Sequence, residues 1–266
     1  MAKTPEEEWR LILTGQVPGL RRMQAIFRHL PSEPRCKLCY APFGKPGNML
    51  IRLLGGKPSP LNRRLCTWCI KSAHKHPGGA EVEVSVLFAD VRGSTALAER
   101  TSADEFGRLL ARFWGTAARV IDRWDGIVDK FVGDEAVALF IPGFAGEDHA
   151  SRAVSAARDL LADTGHGTGE PWIPLGIGVH TGLSYVGFIG EDDALDFTAV
   201  GDTVNTAARI TSQAGIGELL VSDAAAEAAE LATPGLEHRT LELRGREQGV
   251  GVWVHSALDA VEPSAA

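Results

Sequence analysis

The sequence has no stretch of about 18 consecutive apolar residues, the minimum for a membrane-spanning helix. Its N-terminus, MAKTPEEEWR, lacks the basic start and apolar run of a secretory signal. With 44% hydrophobic and 23% charged residues, the composition of the 266 residues is ordinary for a globular protein. We therefore expect a cytoplasmic protein with no membrane partner, long enough for one large domain or two smaller ones.

Cysteine is absent after residue 69, and the four cysteines form two C-x-x-C pairs, Cys36/Cys39 and Cys66/Cys69. Structural disulfides are rare in the cytosol, whereas paired C-x-x-C knuckles are typical of tetrahedral four-thiolate zinc sites. We expect these four residues to hold one structural Zn²⁺ per chain. Iron and redox disulfides are the alternatives.

Acidic residues are scarce in the first 78 residues, which hold 14 Lys and Arg against 4 Asp and Glu. The remainder holds 13 against 30, so a basic segment of +10 and an acidic one of −17 make up the net charge of −7. Opposite signs predict two modules. We expect the basic module to dock on the acidic one, within a chain or a dimer. Nucleic acid or another anionic partner is the alternative, although no nucleic-acid motif accompanies the charge.

Composition and hydrophobic periodicity divide the chain into segments. We predict an N-terminal helical segment (1–34), a four-cysteine zinc module (35–78), a main domain (79–258) and a disordered tail (259–266). Residues 35–78 have few helix or strand signals, so a metal ion supplies the physical reason for this segment to fold.

The main domain alternates strand and helix patterns. The predicted elements are strand 82–88, a helix capped by Ser102 and Glu105, strands 127–132 and 136–141, helix 147–163, strands 174–180 and 184–189, helix 202–213, strand 218–222 and a hairpin around 238–255. This order predicts an α+β fold with a ferredoxin-like βαββαβ core and additions, preceded by the small helical and zinc-stapled module.

Two acidic residues, Asp90 and Asp134, stand at the end of a predicted strand and at the tip of a predicted hairpin. In a ferredoxin-like core these elements are neighbours, so we expect the two carboxylates to meet at one sheet edge. The short Gly-containing loop after Asp90 leads into a helix, where backbone N–H groups can bind phosphates. Two carboxylates beside a phosphate-binding loop predict a magnesium–triphosphate site with two metal ions.

A second cluster, GDTVNTAAR at 201–209, carries Asn205 and Arg209 four residues apart on one helix face. An arginine offers charge and a fork of donors, and an asparagine can orient an oxygen, which suits a phosphoryl transition state. A surface arginine with a helix-capping asparagine is an equally supported alternative.

Three motifs resemble those of the class III adenylyl/guanylyl cyclases. VLFADVRGST at 86–95 resembles the first metal motif, KFVGDE at 130–135 the second, and FTAVGDTVNTAAR at 197–209 the substrate and transition-state motif. The resemblance covers residues 82–256 approximately, about two-thirds of the chain, with the three motifs in the family's order.

The resemblance implies a role for each matching residue. Asp90 and Asp134, with the Val91 carbonyl, would hold two Mg²⁺ or Mn²⁺ ions per active site. Asn205 would orient the ribose, and Arg209 would neutralise charge on the α-phosphate. The other implied substrate-binding residues are Lys130 and Thr198 at the base, Gly93, Ser94 and Thr95 in the phosphate loop, and Arg246, which we favour over Arg244, at the terminal phosphates.

The implied activity is that of an adenylate cyclase, which converts ATP to 3′,5′-cyclic AMP and pyrophosphate. Lys130 favours ATP over GTP, since its ammonium can donate to adenine N1 and would be repelled by guanine N1–H. Thr198 resembles the IIIb subgroup, which hints at bicarbonate sensitivity. In the family each site takes residues from two subunits, so we expect a homodimer with two composite active sites.

Three alternatives remain open at this point. A diguanylate cyclase is disfavoured, because Val132 and Ala136 depart from its turn motif and the helix of Asn205 and Arg209 has no place in that family. A catalytically silent nucleotide-binding signalling regulator is disfavoured by the complete set of matching residues. The last alternative is a zinc module that binds nucleic acid and carries an appended cyclase.

Overall fold

The computed structural model describes residues 4–30, 34–36, 38–60, 65–75, 77–167, 169–191, 195–243 and 248–256. The chain forms two compact units. Unit 1 comprises Met1–Val82 and Tyr185–Val200, and unit 2 comprises Glu83–Ser184 and Gly201–Ala266. The tail predicted at 259–266 lies outside the described residues.

The described residues form ten helices and eight strands. The helices are α1 (Pro5–Leu13), α2 (Pro18–Arg28), α3 (Asn48–Leu53), α4 (Thr67–Lys75), α5 (Ser94–Arg100), α6 (Ala103–Arg123), α7 (Pro142–Ala145), α8 (His149–Asp163), α9 (Asp202–Ser212) and α10 (Asp223–Ala228). The strands are β1 (Gly78–Val91), β2 (Ile127–Val132), β3 (Glu135–Phe140), β4 (Leu175–Ile189), β5 (Asp196–Val200), β6 (Glu218–Ser222), β7 (Glu237–Leu241) and β8 (Val250–Ser256).

The strands form one sheet in the order β2-β3-β1-β4-β6-β8-β7, and β5 pairs with the last residues of β4. Strands β1 to β4, with α6 after β1 and α8 after β3, follow the βαββαβ order, and the arrangement β2-β3-β1-β4 is that of a ferredoxin-like core. Strand β6 runs parallel to β4, and the antiparallel strands β8 and β7 extend the sheet beyond it. The predicted α+β class is confirmed.

Helices α6 and α8 supply most of the helical part of the main core of unit 2. Helix α6 begins with the predicted capping box, in which Ser102 and Glu105 bind each other's backbone N–H groups. From Phe113 onward its apolar face is buried, together with the Ala- and Leu-rich face of α8 and the inward residues of β1, β3, β4 and β6. Burial of such continuous apolar surface is the main stabilising term of the fold.

Helix α9 lies against β4 where that strand has glycine in place of larger residues. A Cβ on Gly178 would stand 2.3 Å from Thr211 Oγ1, and a Cβ on Gly182 would stand 2.9 Å from Thr203 Oγ1. Both glycines lie on one face of the strand, because side chains alternate along it. The helix therefore approaches the sheet more closely than any other residue type at these positions would allow.

Unit 1 contains α1 to α4, strand β5 and the end segments of β1 and β4. Trp9 of α1 is buried and packs against Phe188 of β4 and Phe197 of β5, with ring-centroid distances of 5.6 and 6.4 Å. Phe188 and Phe197 pair across the two strands and their rings are 5.5 Å apart. These three rings form the aromatic cluster of unit 1.

The structure corrects three predictions about individual elements. Segment 35–78 contains helices α3 and α4, although its composition gives few helix signals. The two strands predicted at 174–180 and 184–189 are one continuous strand, because Gly182 serves close packing of α9 and not a turn. Strand β5 was not predicted at all.

Candidate functional site

The two predicted metal-binding carboxylates lie at the same edge of the sheet in unit 2. Strand β1 continues one residue past Asp90, which pairs with Glu135 at the start of β3. The Val91 N–H donates a hydrogen bond of 3.3 Å to the carbonyl oxygen of Asp134 in the β2–β3 turn. Asp90, Val91 and Asp134 are therefore brought together by the pairing of β1 with the β2–β3 hairpin.

The loop after this edge leads directly into α5. Gly93 has a φ of 67°, in the left-handed region that favours glycine, and the helix starts at Ser94. The first N–H groups of a helix have no partner within the helix, and α5 has no side-chain cap. The backbone N–H groups of Ser94 and Thr95 thus belong to the kind of site that binds phosphate oxygens.

Arg92 contributes a positive charge to this edge and has no role predicted from the sequence. Its guanidinium forms an ion pair with Asp90. Its Nη1 lies 3.4 Å from the carbonyl oxygens of both Ser212 and Ala214, at the C-terminal end of α9. The side chain is 16% exposed, and Nε is buried without a hydrogen-bond partner. Arg92 therefore links the carboxylate edge to the end of α9.

Negative charge exceeds positive charge at this edge. Burial raises the pKa of Glu135, the charge of Asp134 raises it further, and Arg92 opposes both. Burial lowers the pKa of Arg92, against the charges of Asp134 and Glu135. Three carboxylates thus surround one guanidinium among the described residues. Hard oxygen ligands with surplus negative charge fit Mg²⁺ or Mn²⁺, and the Asp90 and Asp134 carboxylates with the Val91 carbonyl could hold such ions.

Asn205 and Arg209 occupy one face of α9, a little over one turn apart. The opposite face is buried, and its members are Thr203, Thr206, Ala207, Ile210 and Thr211. Asn205 is exposed and Arg209 is half-buried, so a ligand can reach both. No hydrogen bond or ion pair within the described part of the chain joins either side chain to Asp90 or Asp134.

The two predicted base-reading residues lie in different units. Lys130 of β2 is 49% exposed, and its Nζ lies 3.2 Å from Oδ2 of Asp129, which is 3% exposed. Asp129 thereby holds the ammonium group and is a residue that sequence reasoning missed. Thr198 lies in β5 of unit 1, opposite Gly187 of β4, and is buried. Arg244 and Arg246 lie outside the described residues.

The four cysteines of unit 1 converge as the spacing predicts. All four are buried, and their Sγ atoms lie within 4.8 Å of one another. The Sγ–Sγ distances are 3.7 Å for Cys36–Cys69 and 3.6 Å for Cys39–Cys66. A disulfide needs about 2 Å between sulfurs. Four thiolates bound to zinc at 2.3 Å in a tetrahedron stand about 3.8 Å apart.

Backbone groups also support this cluster as a metal centre. The Cys66 N–H donates to Cys36 Sγ at 3.2 Å, and the Cys69 N–H donates to Cys66 Sγ at 3.4 Å. Hydrogen bonds from neighbouring thiols lower the pKa of Cys66, whereas hydrogen bonds within the same cluster raise the pKa of Cys39 and of Cys69. Zinc binds cysteine as the thiolate, and backbone N–H groups that donate to sulfur stabilise that form. The cluster could therefore hold one metal ion, and its sulfur spacing fits zinc.

The fold is that of nucleotidyl cyclase catalytic domains. The sequence profile of the family described as "Adenylate and Guanylate cyclase catalytic domain" matches residues 79–256. The chain belongs to this family, the class III cyclases. Among the described residues, no helix has both the length and the hydropathy needed to span a bilayer.

Several curated relatives share this domain. The chain is 30% identical over 181 residues to an adenylate cyclase of Anabaena cylindrica, covering 64% of this chain and 36% of that one. It is 36% identical over 179 residues to an uncharacterised protein of Mycobacterium tuberculosis, covering 64% and 32%. The chain thus spans about a third of the length of these relatives.

Solved cyclase structures of both substrate types resemble the chain. The guanylyl cyclase Cya2 matches with a TM-score of 0.60 and 30% identity over 66% of this chain and 93% of that one. The adenylyl cyclase CyaB from P. aeruginosa matches with a TM-score of 0.56 and 26% identity over 65% and 93%. Both likenesses cover about two-thirds of the chain.

Proposed function

We propose that this protein is an adenylate cyclase that converts ATP to 3′,5′-cyclic AMP and pyrophosphate at two composite active sites of a homodimer. One observation carries the proposal. Asp90 and Asp134 meet at one sheet edge, joined through the Val91–Asp134 hydrogen bond, in a cyclase-family chain that also presents Asn205 and Arg209 on α9.

The carboxylate edge would form the metal and phosphate half of each site. Asp90, Asp134 and the Val91 carbonyl would hold two Mg²⁺ or Mn²⁺ ions, which when bound activate the ribose 3′-hydroxyl and stabilise the leaving pyrophosphate. Backbone N–H groups of the phosphate loop, Gly93 to Thr95, would bind phosphate oxygens. Arg246 would neutralise the terminal phosphates, a role that charge alone supports.

Helix α9 would form the transition-state half of the site. Arg209 can donate two hydrogen bonds to oxygens of the α-phosphate, where negative charge grows as the 3′-oxygen attacks. Asn205 can hold the ribose so that this oxygen faces the α-phosphorus, which lowers the entropic cost of the reaction. The close packing of α9 against the glycines of β4 would keep Asn205 and Arg209 in position.

Base selection would rest on Lys130 and Thr198. A lysine ammonium matches the N1 acceptor of adenine and opposes the N1–H donor of guanine, and Asp129 holds that ammonium in place. Guanylate cyclase is the second candidate, because a solved relative with 30% identity is a guanylyl cyclase. Thr198 is the feature that suggests the IIIb subgroup and a response to bicarbonate.

Turnover of ATP and GTP by the purified chain, each with Mn²⁺ or Mg²⁺, tests the proposal by chromatography of the products. We expect cyclic AMP from ATP, and none from Asp90→Ala or Asp134→Ala variants. Asp104→Ala is the matched control, since Asp104 is an exposed carboxylate on α6. An intact dimer that turns over neither nucleotide would refute the cyclase activity. Cyclic GMP as the sole product would show that the enzyme selects guanine and not adenine.

A homodimer would bring the two halves of each site together. Among the described residues of unit 2, three large apolar side chains are exposed, namely Val132 (55%), Leu183 (61%) and Ile216 (63%). Exposed apolar side chains of this kind are typical of subunit interfaces. Val132 ends the strand that carries Lys130, so an interface there would place a second subunit near the base-reading residue.

The cysteine cluster would hold one structural Zn²⁺ per chain within a module spanning about residues 35–78, ahead of a cyclase domain at 79–258. Metal analysis of the purified protein tests the assignment. About one zinc per chain is expected, whereas iron at that stoichiometry would overturn it. We place the protein in the cytoplasm, with nucleic acid binding by the basic module as the alternative. Nucleic acid that binds the full-length protein but not a protein lacking residues 1–78 would favour that alternative.

A further inference from the structure

Unit 1 contains an apolar cavity of about 390 Å³ that the proposed reaction does not use. Its walls come from α1, α2, α4 and β4, and two cysteines line it, Cys39 and Cys69. The walls include the rings of Trp9, Trp68 and Phe188 and the side chains of Met23 and Leu38. Protein interiors are close-packed and contain few voids larger than a water molecule. Concave apolar spaces of about 300 Å³ or more are characteristic of small-molecule sites.

The lining determines which class of molecule would fit. Apart from the two cysteines, Glu8 is the one ionisable residue among the described lining residues, and it is exposed, as is Ser72 on α4. No lysine or arginine stands among the described lining residues, and burying an unpaired charge among apolar side chains is costly. Two indole rings and a phenyl ring favour a flat or aromatic body. The chemistry therefore selects an uncharged, largely apolar molecule over a fatty acid or a phosphate.

The cavity wall is also part of the aromatic cluster of unit 1. Trp9 and Phe188 face the cavity and pack on Phe197, whose ring is completely buried. Phe197 directly precedes Thr198 in β5. A molecule that fills the cavity would contact two of the three rings that hold this strand, so its binding would restrict the position of Thr198.

We infer that this cavity binds a small, uncharged, largely apolar molecule, and that its occupancy is transmitted through Trp9, Phe188 and Phe197 to strand β5. Binding itself is independent of catalysis. Transmission rests on the proposed function, because it acts through the base-reading residue Thr198.

Two fluorescent dyes with the same ring skeleton test the binding step. N-phenylnaphthylamine is uncharged, and anilinonaphthalenesulfonate adds one sulfonate. We expect the uncharged dye to bind the full-length protein with enhanced emission and the anionic dye to bind more weakly. Equal binding of both dyes would overturn the assigned ligand class.

A pair of neighbouring substitutions on α4 locates the dye. Ser72→Trp places a large ring at the cavity mouth and should weaken binding of the uncharged dye by about tenfold or more. Lys71→Trp is the matched control, because Lys71 is exposed and does not line the cavity; it should leave binding unchanged. Dye binding that resists Ser72→Trp would overturn the cavity site. If dye emission rises only when the dimer is diluted, a second copy of the chain covers the cavity in the dimer, and this result would overturn the small-molecule site.

Nucleotide kinetics test the transmission step. Saturating N-phenylnaphthylamine should change the KM for ATP by about fivefold in the wild type, a typical coupling between two sites, and should have no effect on Ser72→Trp. Dye that binds without altering KM would overturn transmission. A protein that binds the dye but turns over no nucleotide would refute the proposed activity while supporting the cavity site.

Discussion

Replacing Gly178 with alanine tests whether the close approach of α9 to β4 holds Asn205 and Arg209, the proposed transition-state residues, in place. The new Cβ would lie 2.3 Å from Thr211 Oγ1, 2.8 Å from Thr211 N and 3.1 Å from Thr211 Cα. The hydroxyl could rotate away, but the backbone nitrogen could not. To restore an ordinary contact of 3.4 Å to that nitrogen, α9 must retreat by about 0.6 Å.

The retreat should affect both stability and catalysis. Overpacking of this kind typically costs about 1–3 kcal/mol of the free energy of unfolding. A shift of catalytic groups by 1 Å can cost about a hundredfold in rate, so a shift of half that size should lower kcat by about tenfold. Asn205 and Arg209 move with the helix, whereas Asp90 and Asp134 do not. The loss should therefore appear in kcat with little change in metal affinity.

Urea unfolding and steady-state kinetics of Gly178→Ala measure the two effects. Gly107→Ala is the matched control, because no atom lies within 4 Å of its new Cβ; an alanine in that helix interior should stabilise the protein by roughly 0.5–1 kcal/mol. Adding Thr211→Ala to Gly178→Ala should not restore the stability, since the clash with the Thr211 backbone nitrogen remains. A Gly178→Ala protein with unchanged stability and unchanged kcat would refute the account of how α9 is held.

Four further predictions follow from the site and its surroundings. Lys130→Glu should lower the ratio of kcat/KM for ATP over GTP by about tenfold or more, because a carboxylate accepts from guanine N1–H; an unchanged ratio would remove Lys130 from base selection. Arg92→Gln should tighten Mn²⁺ binding, measured by electron paramagnetic resonance without nucleotide, because it removes the positive charge paired with Asp90. Weaker Mn²⁺ binding would instead show that Arg92 positions the Asp90 carboxylate for the metal. Removal of zinc with a chelator should abolish binding of the uncharged dye, since two of the four cysteines line the cavity; unaltered binding would separate the cavity from the metal centre. Burial lowers the pKa of His149, so the unfolded chain binds this proton more readily, and the free energy of unfolding should fall as pH drops below about 6.5, by at most about 1.4 kcal/mol per pH unit for this group. His149→Asn should therefore reduce the pH dependence of the urea midpoint measured between pH 7.5 and 5.5. An equally steep pH dependence in the variant would show that His149 is not its cause.

Local sequence pattern was sufficient to predict most of unit 2. Alternation of valines identified β1, the 3.6-residue period identified α6 and α8, and the Ser102–Glu105 capping box marked where α6 begins. The meeting of Asp90 and Asp134 followed from topology, because a βαββαβ order places the hairpin beside the first strand. These features depend on short-range sequence signals or on connectivity rules, and both are visible in a single sequence.

The features that sequence missed depend on tertiary contacts. Strand β5 is short and its pattern is ambiguous by itself; it is defined by pairing with β4 and by the ring of Phe197 against Phe188. Helix α4 begins at Thr67, within the second C-x-x-C pair, where convergence of the cysteines and not helix propensity fixes the backbone. The role of Arg92 depends on carbonyl groups more than a hundred positions away in the chain. Only its place in the Asp-Val-Arg-Gly motif could have marked it.

The composite active site is the central claim, and mixing two inactive variants tests it most directly. Asp90→Ala and Asn205→Ala chains should each form inactive homodimers. When they are mixed in equal amounts and allowed to exchange, half of the dimers should be heterodimers with one intact site of two, which gives about a quarter of the wild-type rate of cyclic AMP formation. Heterodimers verified by mass spectrometry that regain no activity would contradict the account.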